Sequence, residues 1–351
     1  MAKKTLQCED WLNCILNESL PKLKHSSIEN TAFANRLINL VDSSCVKQEG
    51  INGAILRIHM NYSLTGRHMD ETLVTDRHTA ESFTPFTINQ GNIYIADAGF
   101  GKGKNFEYIV SRQADALLRV TPNCLSLAKD SKGKDKINMA KELNTRDNVV
   151  DFRCYVHTEN KKYIPVRIIA SRLPEDKVVE AIKRKKRKSQ QNQSILKDET
   201  LIYAQWVILM TSLDECNSAE EILNLYRVRW QIELLFKRIK QFFKITRIRA
   251  ATVQHSKTLI LLWLIAWAII EKETVAAEAF LMTNKANMSL HSTWNMCSFF
   301  FQRFKAIITC FLAFCYDVGL INVYKRLRNH NSSRINQFAS FCFLESLCFC
   351  S

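Results

Sequence analysis

The segment spanning residues 225–243, LYRVRWQIELLFKRIKQFF, holds the side chains of this sequence best suited to work on a phosphate ester. At about 100° per residue, Tyr226, Arg229, Glu233 and Lys240 fall within a sector of roughly 60° on one helix face. Leu225, Val228, Ile232, Leu235, Phe236, Ile239 and Phe243 collect on an adjoining, broader face that would sit against a core. One face is thus held down while the other presents an acid, two cations and a phenol. The same residues also describe a plain solvated helix in which Arg229 and Glu233 form an i, i+4 ion pair of about 0.2–0.5 kcal/mol. Two aspartates extend the pattern: Asp42 closes the apolar run RLINLVD and Asp97 closes NIYIAD. Each ends a strand candidate, where side chains emerge at a sheet edge, although either read singly is better explained as a turn residue or a helix cap. Together, Asp42, Asp97 and Glu233 would make an all-oxygen site suited to Mg²⁺ or Mn²⁺. A pair of such ions can activate an attacking hydroxyl and steady the leaving oxygen of an in-line displacement at phosphorus.

The elements that must position these groups can be read in outline. Residues 5–30 look helical, with Trp11, Leu12, Ile15 and Leu16 forming a stripe. Strand candidates follow at 36–42, 54–64, 71–76 and 92–97, then a helix around 104–112 and a strand at 116–120. Strands in a run and then alternating with helices predict a mixed α/β sheet. From 121 to 212 the texture changes to short β-type runs at 149–157, 163–171 and 201–210, separated by polar loops and one basic helical segment at 177–188. From Ala219 the pattern is helical to about residue 330, and the tail FASFCFLESLCFCS follows no clear period.

The spacing Y-x2-R-x3-E-x6-K, met here as Tyr226, Arg229, Glu233 and Lys240, resembles the signature of DDE transposases of the insertion-sequence 4 family. The string LYRVRWQIELLFKRIK is similar to that family beyond the four marked positions. So are LVDSSCVKQEG around Asp42 and IYIADAGFGKG around Asp97, with Ala98 standing where many relatives have Arg. The resemblance covers roughly residues 35–270. It implies an α/β fold with a ribonuclease H-like mixed-sheet core, interrupted by a mainly β insertion domain and flanked by helical termini. The expected organisation is a helical segment over 1–35, core over 36–120, insertion over 121–212, core again over 213–290, and a helical region with an irregular tail over 291–351. The implied activity is metal-dependent DNA cleavage at transposon ends followed by strand transfer. Asp42, Asp97 and Glu233 would be its catalytic acids and metal ligands, holding two Mg²⁺ or Mn²⁺ ions. Arg229 and Lys240 would hold phosphate oxygens, Tyr226 a phosphate or the terminal base, and Trp206 would stack on a flipped base unless it is a core residue. Implied partners are duplex DNA at terminal inverted repeats, target DNA and a second copy of the chain on DNA. Glu81, in DRHTAESF, resembles a core position of the family with no role attached.

Composition is compatible with that reading. Lys and Arg total 49 against 34 Asp and Glu, a formal charge of +15 that favours a polyanionic partner through counterion release. The six-cation block KRKKRK at 183–188 could bind a DNA backbone or simply be a solvated helix end. The 12 cysteines include no C-x-x-C pair, and those such as Cys14, Cys45, Cys154 and Cys310 stand singly in apolar surroundings, which fits a reduced compartment. The histidines His59, His68, His78 and His157 lack metal-ligand spacing, so zinc is not indicated, and Gly99, Gly101 and Gly103 lack the rest of a dinucleotide fingerprint. Apolar runs at 258–270 and 306–316 fall short of the ~20 residues that cross a bilayer, and read as buried helices. The expected location is the bacterial cytoplasm, at the nucleoid. Only about 35 residues precede the first strand candidate, and the tail is unlike a dimerisation helix, so a shortened or frame-altered copy is also expected. Two other functions stay open: a remnant that binds DNA without cutting it, and a ribonuclease H-like nuclease or resolvase.

Overall fold

A computed structural model describes residues 36–284 apart from short gaps at 49, 51–52, 160–161, 244–246 and 249–251, together with Leu12, Asn13, Leu16 and Phe33. The expectations for the rest of residues 1–35, for the run 306–316 and for the tail 291–351 lie outside the described residues. The chain divides into two compact units, Lys22–Lys257 and Met1–Pro21 with Thr258–Ser351. In the latter, Leu12, Leu16, Ile260, Leu261, Leu262, Leu264, Ile265 and Ala268 are buried. Among the described residues, no helix is long and apolar enough to cross a membrane.

The larger unit is organised by a ten-stranded sheet. Its first part comprises β1 (Ile38–Gln48), β2 (Ala54–Ser63), β3 (His68–Asp76), β4 (Ile93–Ala96) and β5 (Asp115–Arg119), with helix α1 (Gly103–Val110) crossing between β4 and β5. β1 pairs antiparallel with β2 and parallel with β4, and β4 parallel with β5. This order, β3-β2-β1-β4-β5, is the ribonuclease H-like arrangement that the resemblance implied. The strands form where apolar residues alternate or run together: Ile38, Leu40, Val41 and Val46 of β1 and all of β4 are buried.

Residues 121–212 supply β6 (Leu127–Ala128), β7 (Val149–His157), β8 (Tyr163–Arg172) and β9 (Trp206–Thr211), with helices α2 (Met139–Glu142), α3 (Glu175–Gln191) and α4 (Asp198–Tyr203). The β-type run expected at 201–210 divides, its first residues closing α4 and only Trp206 onward forming β9. The strands do not stand apart from the core sheet, because β9 pairs antiparallel with β5 and the order continues β9-β8-β7-β6. Val41, Tyr94 and Leu118 accordingly share one hydrophobic cluster with Val166, Ile168, Trp206 and Ile208. The chain then enters α5 (Ala219–Arg227), α6 (Trp230–Phe243), β10 (Arg247–Ile248) and α7 (Val253–Asn284).

One buried cation ties this β region to the helices that follow. Arg167 of β8, 5% exposed, donates to both carboxylate oxygens of Asp151 at 2.9 and 2.6 Å. It also donates to the carbonyls of Asp214 (2.5 Å) and Asn217 (2.8 Å), in the loop that leads into α5. A capping box completes the entry, Ser218 accepting from the Glu221 amide while Glu221 accepts from the Ser218 amide. Arg167→Ala strands a carboxylate and two carbonyls, so it is expected to cost about 3 kcal/mol of stability. Urea denaturation measures this, and a loss below about 1 kcal/mol would mean that water replaces the guanidinium.

Candidate active site

The parallel register between β1 and β4 ends at Val41↔Ala96, so the next residue on each strand is Asp42 and Asp97. Neighbouring strands lie about 4.8 Å apart, which sets the two carboxylates side by side where the ladder stops. Asp42 was expected to end its strand, but β1 runs on to Gln48, because β2 keeps pairing along its other edge. What ends at Asp42 is the cover from β4. That edge of β1 is taken up again only by β10, at Lys47↔Arg247. The site lies at this interruption in the sheet.

Burial pushes the Asp42 carboxyl up to about 6. The Ser43 amide, donating at 2.7 Å, and Arg229 oppose the rise, while Asp97 and Glu81 add to it. Asp97 is more open. Its Oδ1 accepts from the Tyr226 hydroxyl at 3.3 Å and stands 3.6 Å from Nη1 of Arg119.

The single helix expected over 225–243 is two helices, α5 and α6, with Val228 and Arg229 between them. There the amides of Val228, Arg229, Gln231 and Ile232 each donate to the carbonyl three residues back. Three-residue turns rotate the chain by about 120° per residue rather than 100°, so the faces on either side of the junction are out of phase with a straight helix. Tyr226 is therefore buried with its hydroxyl on Asp97, instead of lying exposed in line with Glu233. Ile232, Leu235, Phe236 and Ile239 form the expected buried face of α6. Arg229 donates from Nη2 to Glu233 Oε1 at 2.7 Å, its own side chain only 12% exposed. It also exerts an electrostatic pull on Asp42 and Asp97. One guanidinium is thus shared among all three candidate acids. Lys240, the fourth residue of the motif, donates from Nζ to the Cys45 carbonyl at 3.0 Å, on the uncovered stretch of β1. Burial lowers its pKa.

A family model described as a transposase DDE domain matches residues 36–269, more than half of the chain. The chain belongs to the DDE transposase family. The InsL protein of insertion sequence element IS186A from Escherichia coli K12 is 28% identical over 277 residues, which is 77% of this chain and 74% of that protein. The transposase for insertion sequence element IS421 of Escherichia coli matches to the same extent. The chain is accordingly an enzyme of DNA transposition, acting by DNA cleavage and strand transfer, and DNA is its partner.

The family generally uses divalent metal ions. The donor set fits, since Asp42, Asp97 and Glu233 offer only hard oxygens, and a cation would relieve the repulsion that helps to raise Asp42. Among the described residues, no three acid, histidine or cysteine side chains stand close enough to hold an ion as they are. Oε1 of Glu233 is already engaged by Arg229.

Trp206 is 5% exposed within the main cluster, which makes it the core residue that its apolar run allowed and leaves no open ring face for a base. Among the described residues the exposed tryptophan is Trp230, 57% accessible at the start of α6 between Arg229 and Glu233. In sequence it passes for one more apolar residue of that helix; only its position on the open side distinguishes it. Arg119 was also missed, because a strand-terminal Arg carries no spacing signal. It supplies a guanidinium beside Asp97, its Nη1 3.6 Å from Oδ1.

Glu81 now has a place. Its Oε1 accepts from the Ser43 hydroxyl at 2.6 Å, with Arg57 Nη1 3.6 Å away. Its Oε2 lies where a Cβ on Gly99 would come within 1.4 Å of it. A fourth carboxylate therefore bridges the residue after Asp42 and the turn after Asp97. Gly101, next in that turn, abuts the Arg119 carbonyl, 2.1 Å from where its Cβ would be. The glycine run thus serves close packing.

Proposed function

We propose that Asp42, Asp97 and Glu233 are the catalytic acids and hold two Mg²⁺ or Mn²⁺ ions. Bound there, the ions would lower the pKa of the attacking hydroxyl and offset charge on the leaving oxygen. The observation that carries the reading is the β1–β4 register, which sets Asp42 beside Asp97 while Tyr226 and Arg229 tie the Glu233 helix to the same pair. In the DNA-free protein Arg229 neutralises part of the carboxylate cluster. An incoming phosphate is a better partner for its planar fork than a single carboxylate oxygen, and drawing Arg229 onto the DNA releases Glu233. Tyr226 holds Asp97 in orientation, Lys240 meets a phosphate as a point charge, and the open ring of Trp230 offers a stacking surface for an unpaired base. The core comprises residues 36–120 and 213–290, with 121–212 inserted between them. The substrates are the terminal inverted repeats of the element and then target DNA, bound by two copies of the chain in a bacterial cytoplasm.

Incubating a labelled duplex of the element's end with the protein and Mn²⁺ or EDTA tests this. Metal-dependent nicking at the repeat boundary is expected. Binding without nicking would leave a DNA-binding remnant, and nicking away from the boundary would favour a nuclease or resolvase. Arg229→Ala is expected to weaken binding about tenfold at physiological salt and to reduce the slope of log K against log salt by roughly 1. An unchanged slope would remove Arg229 from the phosphate contacts.

A further inference from the structure

Helix α3 takes no part in the site above, yet it carries an uninterrupted run of six cations. Lys183, Arg184, Lys185, Lys186, Arg187 and Lys188 are all exposed. No acid occurs from residue 181 to residue 197. The acids of α3, Glu175, Asp176 and Glu180, stand near its start, where Lys177 is 3.8 Å from Asp176 and 3.3 Å from Glu180. The six cations beyond have no carboxylate partner among the described residues. Val178 is the helix's one fully buried residue, with Ala181 and Ile182 half-buried beside it, so α3 is anchored along its first half while the six cations stand in solvent. Packing does not explain its charge.

Its position in the sheet does. β4 and β5 are parallel, and Asp97 follows the last residue of β4. β9 runs back against β5 and β8 against β9, so β8 ends at the same edge of the sheet as β4. By register, the level of Asp97 passes through Arg119 and Leu209 to Ile169, and β8 continues three residues past it to Arg172 before α3 begins. Three strand spacings separate β4 from β8, about 14 Å, and β8 projects roughly 10 Å beyond the Asp97 level. A helix of 17 residues then extends about 25 Å. The two offsets combine to about 17 Å, so a duplex whose scissile phosphate sits at Asp97 comes level with the start of α3 about five base pairs away, and the cations begin at Lys183, about 12 Å further along the helix.

We infer that α3 is a second DNA contact, whose cations grip the phosphate backbone within about one helical turn of the cleaved bond. The inference rests on the placement of the acids proposed above. The contact is independent of base sequence, since flexible lysines and arginines in a row address phosphates and not base edges. It would hold the DNA flank while Arg229, Lys240 and the acids handle the end itself.

The test replaces the six cations together (K183Q, R184Q, K185Q, K186Q, R187Q and K188Q). Glutamine keeps helix propensity, and none of the six is buried, so thermal unfolding should match that of the wild type. Binding is measured across salt on two duplexes of the element's end, one reaching about three base pairs to either side of the cut and one about twenty. On the long duplex the variant should bind at least about tenfold more weakly, with a salt slope shallower by about 3, while the short duplex shows wild-type affinity and slope. Metal-dependent nicking of the short duplex should persist. An unchanged slope on the long duplex would overturn the inference, as would an equal loss on both. Wild-type protein that fails to nick either duplex would count against the acids alone, because the salt slopes are read without cleavage.

Discussion

A Glu233→Gln enzyme should nick an element-end duplex roughly 10³-fold more slowly than wild type while binding it at least as tightly. The loss follows from removing one of three charged ligands, an effect of several kcal/mol at a metal site, with each 1.4 kcal/mol worth tenfold in rate. The retained binding follows from geometry. Glu233 flanks the buried face of Ile232, Leu235, Phe236 and Ile239 with its side chain 34% exposed, so an isosteric amide removes no core atoms. It also frees Arg229, now bonded to Glu233 Oε1, to meet phosphate without first leaving a carboxylate. Tighter binding together with lost cleavage is the signature to look for, and a deletion of binding affinity would not produce it. Gel-shift and nicking assays on one substrate measure both, and wild-type cleavage by this variant would sink the assignment of Glu233.

Asp42→Asn is expected to make the metal-free protein more stable while abolishing cleavage. Burial, with smaller contributions from Asp97 and Glu81, raises the Asp42 carboxyl from 3.8 to about 6. The folded state therefore disfavours the carboxylate relative to the unfolded chain. The sign follows directly: stability is lost as pH rises through about 6, and regained as pH falls towards 4, where Asp42 is protonated in the folded state. At pH 7 the neutral amide avoids this penalty, on the order of 2–3 kcal/mol, and can still accept from the Ser43 amide. The advantage should shrink to little below about pH 4. Added Mg²⁺ should stabilise the wild type by mass action and the variant much less. Urea titrations at several pH values, with and without Mg²⁺, check all of this. An Asn variant no more stable than wild type at pH 7 would mean that Asp42 is better solvated than its burial implies.

Both effects express one trade-off. A carboxylate cluster ready for metal is a liability without it, and Arg229 offsets that liability in the resting protein. The ion pair that sequence reading could dismiss as a surface contact is, on the proposed reading, the part of the site that opens when DNA arrives.

The sequence by itself singled out the candidate groups. Tyr226, Arg229, Glu233 and Lys240 are fixed by a local spacing, and Asp42 and Asp97 by the apolar strands that precede them, because helices and strands impose short periods that survive in one dimension. It also determined the order of strands and helices through most of residues 36–243, and the interruption between Asp97 and Glu233. The tertiary structure decided what depends on pairing between distant segments. Register alone set Asp42 beside Asp97 and let β1 run past its acid, since β2 holds one edge after β4 has left the other. The three-residue turns at Val228 and Arg229 buried Tyr226, a shift of phase that an assumed straight helix hides. Hydrogen bonding between β5 and β9 joined the inserted strands to the core sheet and placed Trp206 inside it. Trp230, Arg119 and Glu81 came to the site because of where their elements lie in space, and exposure and long-range contact have no period that a sequence could display.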